Sequence, residues 1–497
     1  MELKFSKKPL HCLRPFFSKI HTQEQTQEIR LPDAYPDIGK IIGCWGQVLM
    51  RGKEWRTTSM GANGGVMAWV MYAPEDGTQN RVLDVWIPIQ CRWDFSQSAD
   101  DGIIMLNPVL SNLDGRSISA RKIMMRAVVD TFAQALGKQT MLISQTPQVP
   151  EDVQLLTRVY PVDLPMEAGE KQIQMEEILA FPSDLPPIHK FVRYRMNPSV
   201  SEQKVLGNRL VFRGQAGIDM SYMTEDGTIH NWKTEIPFSQ YTELEQEFSP
   251  GATAWVLPLV TAMELEMSED QQLQMRGGIA AQYTVFDRNM IEVVEDAFSP
   301  RREITPQMEN IQPPALLDNM AVEIPVEGNT ELIHILDAMP MAQYPQMDVS
   351  ENEIGIRLNG QFQIMGMDMQ EQLTGDSVRF EGNQEFQSAS ANQSHVWLGC
   401  ADGYDVATAA DGQMIRTKYP ATLQIYSGQS IPMVTQLEIG EERPADPDRP
   451  SLILRRAGDE DLWAIAKACG STVAAIRIAN QLEEEPESGR MLLIPVV

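Results

Sequence analysis

The strongest constraint on what this chain can fold into is internal: its first 300 residues repeat themselves at an offset of 150. Tyr35-Pro36-Asp37-Ile38-Gly39-Lys40-Ile41-Ile42 aligns with Leu185-Pro186-Pro187-Ile188-His189-Lys190-Phe191-Val192. At the same offset Tyr72-Ala73-Pro74-Glu75-Asp76-Gly77-Thr78 meets Tyr222-Met223-Thr224-Glu225-Asp226-Gly227-Thr228, and Met125-Arg126 meets Met275-Arg276. Ile87-Pro88 matches Ile236-Pro237 one residue out of step. A third, more divergent copy follows, with Gly360-Gln361 standing for Gly214-Gln215 and Ile415-Arg416 for Met275-Arg276. Its counterpart of the shared turn is missing, the region from Asp368 to Asp376 reading differently. A fixed period of this kind implies repeated copies of one folding unit.

Within a copy the pattern is that of strands. Leu210, Phe212, Ala216, Ile218, Met220 and Tyr222 share one parity, whereas Arg213, Gln215, Asp219 and Ser221 take the other. Ile356, Leu358, Phe362 and Ile364 alternate in the same way with Arg357, Asn359, Gln361 and Gln363. Such alternation suits a half-buried strand. Asp-Gly pairs at 76-77, 101-102, 114-115, 226-227, 402-403 and 411-412 offer the positive-φ residues of tight hairpins. The stretch from Ile123 to Leu136 has helical spacing in places, but its alignment with Met275-Arg276-Gly277-Gly278 favours a strand at its start, since paired glycines disfavour a helix interior. The expected fold is mainly β: three antiparallel, sandwich-like repeats and a small α/β (βααβ) domain. The repeats are placed at 1–150, 151–300 and 301–440, a linker at 441–450 and the last domain at 451–497.

Proline-bearing connectors separate the copies, at 146–152 and 299–314. The polar, proline-rich run from Gly440 to Pro450 predicts an extended tether that presents the last domain away from the repeats. Net charge is −27, from 41 Lys and Arg against 68 Asp and Glu, which disfavours nucleic acid and anionic lipid as partners. The five cysteines are scattered, with no C-x-x-C pair, as expected in a reducing compartment. The basic N-terminus is not followed by an apolar run, so no secretory signal is expected, and no stretch has the length of a membrane span. A cytoplasmic location follows as the expectation. The six histidines are dispersed, and no P-loop, H-E-x-x-H or G-x-S-x-G motif occurs. Catalysis, a metal and a cofactor are therefore not expected.

The last 47 residues begin with Leu452-Ile453-Leu454, turn at Gly458-Asp459-Glu460-Asp461-Leu462-Trp463, and end in Leu492-Leu493-Ile494-Pro495. This order is similar to a LysM module, a strand-helix-helix-strand domain known for binding N-acetylglucosamine polymers. One extra residue stands between Asp459 and Leu462 compared with the LysM pattern, and either Asp459 or Asp461 can cap the first helix. Leu462, Ile465, Ala466 and Cys469 form one apolar face. Gly470 ends that helix and Ser471 or Thr472 starts the next. Trp463 reads first as core and second as a ligand platform.

The repeats, on Pro36-Asp37-Ile38-x-Lys40-Ile41, the Tyr72 hairpin and the Arg126 strand, resemble the SPOCS domain of spore-coat-associated proteins in endospore-forming bacteria. Three such units before a LysM module are similar to a family of spore morphogenesis proteins. The second copy departs from the pattern with Pro187 in place of Asp37, and the third lacks both the proline motif and the shared turn. The resemblance implies a mother-cell cytoplasmic protein at the forespore surface and spore coat, whose LysM module binds a coat-basement morphogenetic ATPase rather than glycan. Self-association through the β repeats is a further implied role.

The residues expected to meet the partner or a glycan lie in the LysM turns: Gly458, Asp459, Glu460, Asp461, Leu462, Trp463, Asn480, Leu482 and Glu483. These turns are rich in carboxylates, which disfavours the anionic peptidoglycan and favours a basic protein surface. Peptidoglycan binding in the cortex or wall is the second expectation. Arg126, Arg276 and Arg416 read either as exposed strand residues or as shared ion-pair partners.

Overall fold

Each alternating stretch becomes a long antiparallel strand, and the strands assemble into units of two facing sheets. The computed structural model describes residues 1–497 apart from 269–271, 351–352, 388–390, 410–411 and 445–449. After a short β1 (Glu2–Lys4), the first unit contains β2 (Lys7–Arg30), β3 (Ile38–Arg56), β4 (Ser59–Pro74), β5 (Arg81–Asp94), β6 (Ile103–Ser119) and β7 (Lys122–Ser144). They pair as β2-β7-β6 and β3-β4-β5. The second unit contains β8 (Gln154–Leu179), β9 (Lys190–Leu206), β10 (Arg209–Met223), β11 (Ile229–Glu243), β12 (Thr253–Met267) and β13 (Leu273–Phe298). Its order, β8-β13-β12 and β9-β10-β11, is the same topology.

A connector strand, β14 (Arg302–Ile311), precedes the third unit: β15 (Leu316–Thr330), β16 (His334–Ala342), β17 (Gln346–Val349), β18 (Glu353–Met367), β19 (Leu373–Gln387), β20 (Ala391–Leu398), β21 (Asp405–Ala409) and β22 (Gly412–Ser427). Here β22 pairs with β15, β20 and β21, while β18 pairs with β16, β17 and β19. Then follow β23 (Ile431–Glu442), β24 (Leu452–Arg456), α1 (Leu462–Cys469), α2 (Val473–Asn480) and β25 (Met491–Pro495). The fold is mainly antiparallel β with two small C-terminal helices, as expected.

Units two and three share one sheet, β8 pairing with β15 at Asp163 and Leu316, and side chains add further clasps between the units. Gln47 on β3 donates to the Met196 carbonyl at 2.5 Å and accepts from its N–H at 3.0 Å, joining units one and two. Gln282 on β13 does the same with Leu106 at 2.8 Å in both directions. Asn107 on β6 clasps Leu398 of the third unit, donating at 2.9 Å and accepting at 2.7 Å. Each primary amide offers the donor and acceptor of a peptide group, so each buried backbone pair it meets stays satisfied.

Units two and three are joined by Arg193, whose guanidinium forks onto Asp337 at 2.5 and 2.6 Å and lies 3.4 Å from Asp219, all nearly inaccessible to water. Burial alone would lower the Arg193 pKa; the Asp219 and Asp337 carboxylates reverse this and raise it. Gly375 lies so close to the Ile42 carbonyl of the first unit that a Cβ would sit 1.7 Å from that oxygen. Only glycine fits that approach.

One apolar core runs through all three units, including Leu106 and Phe132, Trp255 and Leu257, and Tyr344 and Trp397. Phe132 stacks on Tyr344 with ring centroids 5.4 Å apart, and Trp255 meets Trp397 at 4.7 Å. The chain also ties its beginning to the end of the body, since β23 pairs with both β1 and β14.

Several sequence expectations change. Asp76-Gly77 and Asp226-Gly227 form the β4–β5 and β10–β11 turns, with Gly φ of 75° and 89°. Asp114-Gly115, by contrast, lies inside β6 and makes no hairpin. Gly115 is there for space: a Cβ would meet the Cys44 Sγ at 2.6 Å. Asp411 of the last pair lies outside the described residues. The connector at 299–314 is largely strand, because β23 offers it a free edge. Ile123 to Leu136 is strand throughout, within β7. Asp219 and Ser221, on the polar face of β10, are buried rather than solvated, because that face packs toward the third unit. All five cysteines are unpaired.

Candidate functional site

The C-terminal module is held by a small core: Ala457, Leu462, Ile465, Ala466, Ile476, Leu492 and Ile494, with Leu482 partly buried against it. Asp461 is the N-cap of α1, its carboxylate accepting from the Ala464 N–H at 2.8 Å. The extra residue in the turn thus moves the cap from Asp459 to Asp461. Glu485 accepts from the Leu462 N–H at 2.8 Å, so a second exposed donor of the helix start is satisfied. Gly470, at φ 65°, ends α1, and Thr472 caps α2 by accepting from the Ala475 N–H at 3.1 Å. Ser471 is buried instead, donating to the Pro495 carbonyl at 2.5 Å.

Most of the residues expected to meet a ligand are occupied within the chain. Asn480 donates to the Ile476 and Leu493 carbonyls at 2.8 and 2.6 Å and accepts from the Leu493 N–H at 2.7 Å, which locks α2 to β25. Glu460 pairs with Arg455 at 2.5 Å. The Glu483 carbonyl accepts from Arg477 at 2.8 Å, and Arg477 also pairs with Glu485 at 3.1 Å. Leu462 is fully buried. Among the described residues, the open turn therefore consists of Gly458 and Asp459, with the Glu483 and Glu484 carboxylates on the opposite turn. A Cβ at Gly458 would meet nothing within 4 Å.

Trp463 has a role that the sequence does not disclose. It is half-buried, and its Nε1 donates to Asp296 Oδ2 at 2.8 Å while its ring meets Phe298 edge-on at 4.7 Å. Lys467, one turn along α1, donates to both oxygens of the same carboxylate at 2.9 and 2.7 Å. Phe298 is nearly inaccessible to water and belongs to the module core. The module therefore sits on the end of β13 and is not held away from the repeats. A β-bulge between Val294 and Asp296 in the β13–β8 register produces the seat. Bulges re-aim side chains. Glu295 turns toward Arg158 at 3.0 Å and Tyr160, and Asp296 turns toward the module. No local pattern around Glu295-Asp296 in the sequence signals this.

The three aligned arginines are ion-pair partners, each with a glutamate on the first long strand of its own unit. Arg126 forks onto Glu24 at 2.5 and 2.7 Å, Arg276 meets Glu176 at 3.2 Å, and Arg416 meets Glu327 at 3.2 Å. The Arg126 hydrogen bond holds the Glu24 carboxyl below its usual range. These pairs are exposed and contribute little to stability.

Among the described residues, no group of three or more His, Cys, Asp or Glu is placed to hold a metal ion. No single helix among them is long and apolar enough to cross a membrane. An open groove of about 710 Å³ lies between units one and two, lined by Leu49, Met67, Trp86, Met175 and Met263.

Comparison with known families adds one assignment. Residues 187–268, which run from just before β9 to just past β12, match the family model described as SipL, SPOCS domain. The second unit thus carries a SPOCS-like segment, and the match connects the chain with sporulation. No curated protein and no solved structure matches the chain.

Proposed function

We propose that this chain is a non-catalytic recruitment protein of endospore coat morphogenesis, acting in the mother-cell cytoplasm at the forespore surface. In this reading the three β units form a rigid platform, and the C-terminal module is a LysM domain that docks a coat-basement morphogenetic ATPase. The observation that carries the reading is the SPOCS match at residues 187–268. The module's interior bonding supports a protein partner over a sugar polymer. A glycan groove needs apolar side chains and free polar groups between the two turns, yet Leu462, Leu482 and Asn480 are committed to the module's own core and strand contacts. What the turns leave open is carboxylate, at Asp459, Glu483 and Glu484, and like charges disfavour peptidoglycan.

Capture of the purified coat-basement ATPase by the full chain and by a chain ending at Pro450 tests this directly. Capture by the full chain alone is expected. Equal capture by both chains removes the module from the interaction. Cosedimentation of the full chain with purified peptidoglycan at low salt would instead favour the glycan-binding alternative.

A further inference from the structure

We infer that the end of β13 is an internal receptor for the C-terminal module, and that the Trp463–Lys467 face of α1 is a binding surface for an acidic-aromatic ligand. The occupant of this face is visible in the chain itself. Asp296 and Phe298 stand two residues apart on an extended strand, so both side chains leave on the same side. The carboxylate receives the indole N–H at 2.8 Å and the ammonium at 2.7 Å, while the phenyl ring meets the indole at 4.7 Å. The surface therefore selects an Asp-x-Phe pattern: an anion to bridge Trp463 and Lys467, and an aromatic ring to sit against the indole. Charge-assisted bonds to a shared carboxylate give direction, and the edge-on rings add apolar contact beside it.

The Asp296 carboxylate is held in place by the Ala297 N–H, which donates to its Oδ1 at 2.9 Å. The bulge between Val294 and Asp296 sends Glu295 to Arg158 and frees Asp296 for the module. The chain leaves the body nearby, where the Arg443 N–H donates to the Arg301 carbonyl at 2.8 Å. Docking is consequently intramolecular and favoured by high effective concentration, despite the few groups it uses. A partner that takes the same α1 face competes with Asp296 and Phe298, and its apparent affinity falls by the fraction of molecules with the module undocked. This second consequence rests on the reading that the module binds a protein partner.

Two measurements on the full chain separate the internal contact from the external one. In the first, the indole ¹⁵N–H resonances are recorded with the Trp463 signal assigned by Trp463→Phe. Asp296→Ala removes the acceptor of the indole N–H and of the Lys467 ammonium and should move that one signal to a solvent-exposed position. An unmoved signal would show that the seat does not hold the module and would overturn the inference. In the second, capture of the purified coat-basement ATPase is compared for the parent chain and Asp296→Ala. Undocking should tighten capture by about tenfold, through loss of the Trp463 and Lys467 bonds to Asp296. Unchanged capture by a chain whose Trp463 signal has moved would show that the partner uses another face. If neither chain captures the ATPase, the proposed function fails, while the resonance still decides whether the seat exists.

Discussion

The β body and the C-terminal module solve the same problem, holding separate pieces of chain together, at opposite scales. The body joins its units by polar groups sealed inside: Gln47, Gln282, Asn107 and the Arg193–Asp337 fork are nearly or fully buried. The module meets the body through Trp463 and Lys467, which remain half-buried and exposed respectively. Polar contacts cut off from water are costly to break, because a lost partner leaves an unsatisfied group behind. Contacts at a wet edge can be exchanged for water. The difference implies that the body behaves as one rigid piece and that the module can leave its seat.

The largest effect is expected at the joint between units two and three. Asp337→Ala leaves the fully buried Arg193 without its principal partner and should cost about 3–5 kcal/mol. Urea denaturation measures this, and a loss below about 1 kcal/mol would place that joint in the same class as the surface pairs. A smaller effect should come from His395 on β20. Burial lowers the pKa of His395 to about 4, and its Nε2 is enclosed without a hydrogen-bond partner among the described residues. The folded ring stays neutral, whereas the unfolded chain takes up a proton below about 6.5. Stability is therefore full above that pH and falls as pH drops toward 4, by about 3 kcal/mol. Thermal melts of the parent chain and His395→Gln across this range should differ in slope; parallel curves would count against a buried neutral ring.

The smallest effect belongs to the module. Asp461→Ala removes the α1 cap and should cost about 1 kcal/mol of module stability. Amide hydrogen exchange should quicken in α1 and leave the β body unchanged. Faster exchange in the body as well would show that module and body unfold together, and the contrast between them would disappear.

The sequence made much of the module legible because helix caps and end signals act over three or four residues. Asp461, Gly470 and Thr472 were all among the candidates, and the structure only chose between neighbours. The same holds for the turns at Gly77 and Gly227, where a positive φ is a local demand. The reading failed where a residue type had two uses. Asp114-Gly115 looks like a hairpin but lies in mid-strand, because Gly115 makes room for Cys44. Asp219 and Ser221 look solvated, because alternation identifies a second face without saying what covers it. Apart from these, Leu462 packs in the module core and Asn480 bonds to Ile476 and Leu493, uses that the residue types alone do not disclose, because so small a domain needs their bulk and bonding for itself.

By itself, then, the chain determined its strand-forming alternation, the turns at Gly77 and Gly227 and the capping of its two helices, since all of these depend on neighbours in sequence. Only the tertiary structure decided which polar side chains become clasps between units and where the module rests. Gln47 meets Met196 across 149 positions, and Trp463 meets Asp296 across 167. A one-residue bulge decides which of Glu295 and Asp296 faces the module, and that choice depends on the pairing of β13 with β8. Contacts of this range come from the closing of sheets on one another, which no local pattern of residues records.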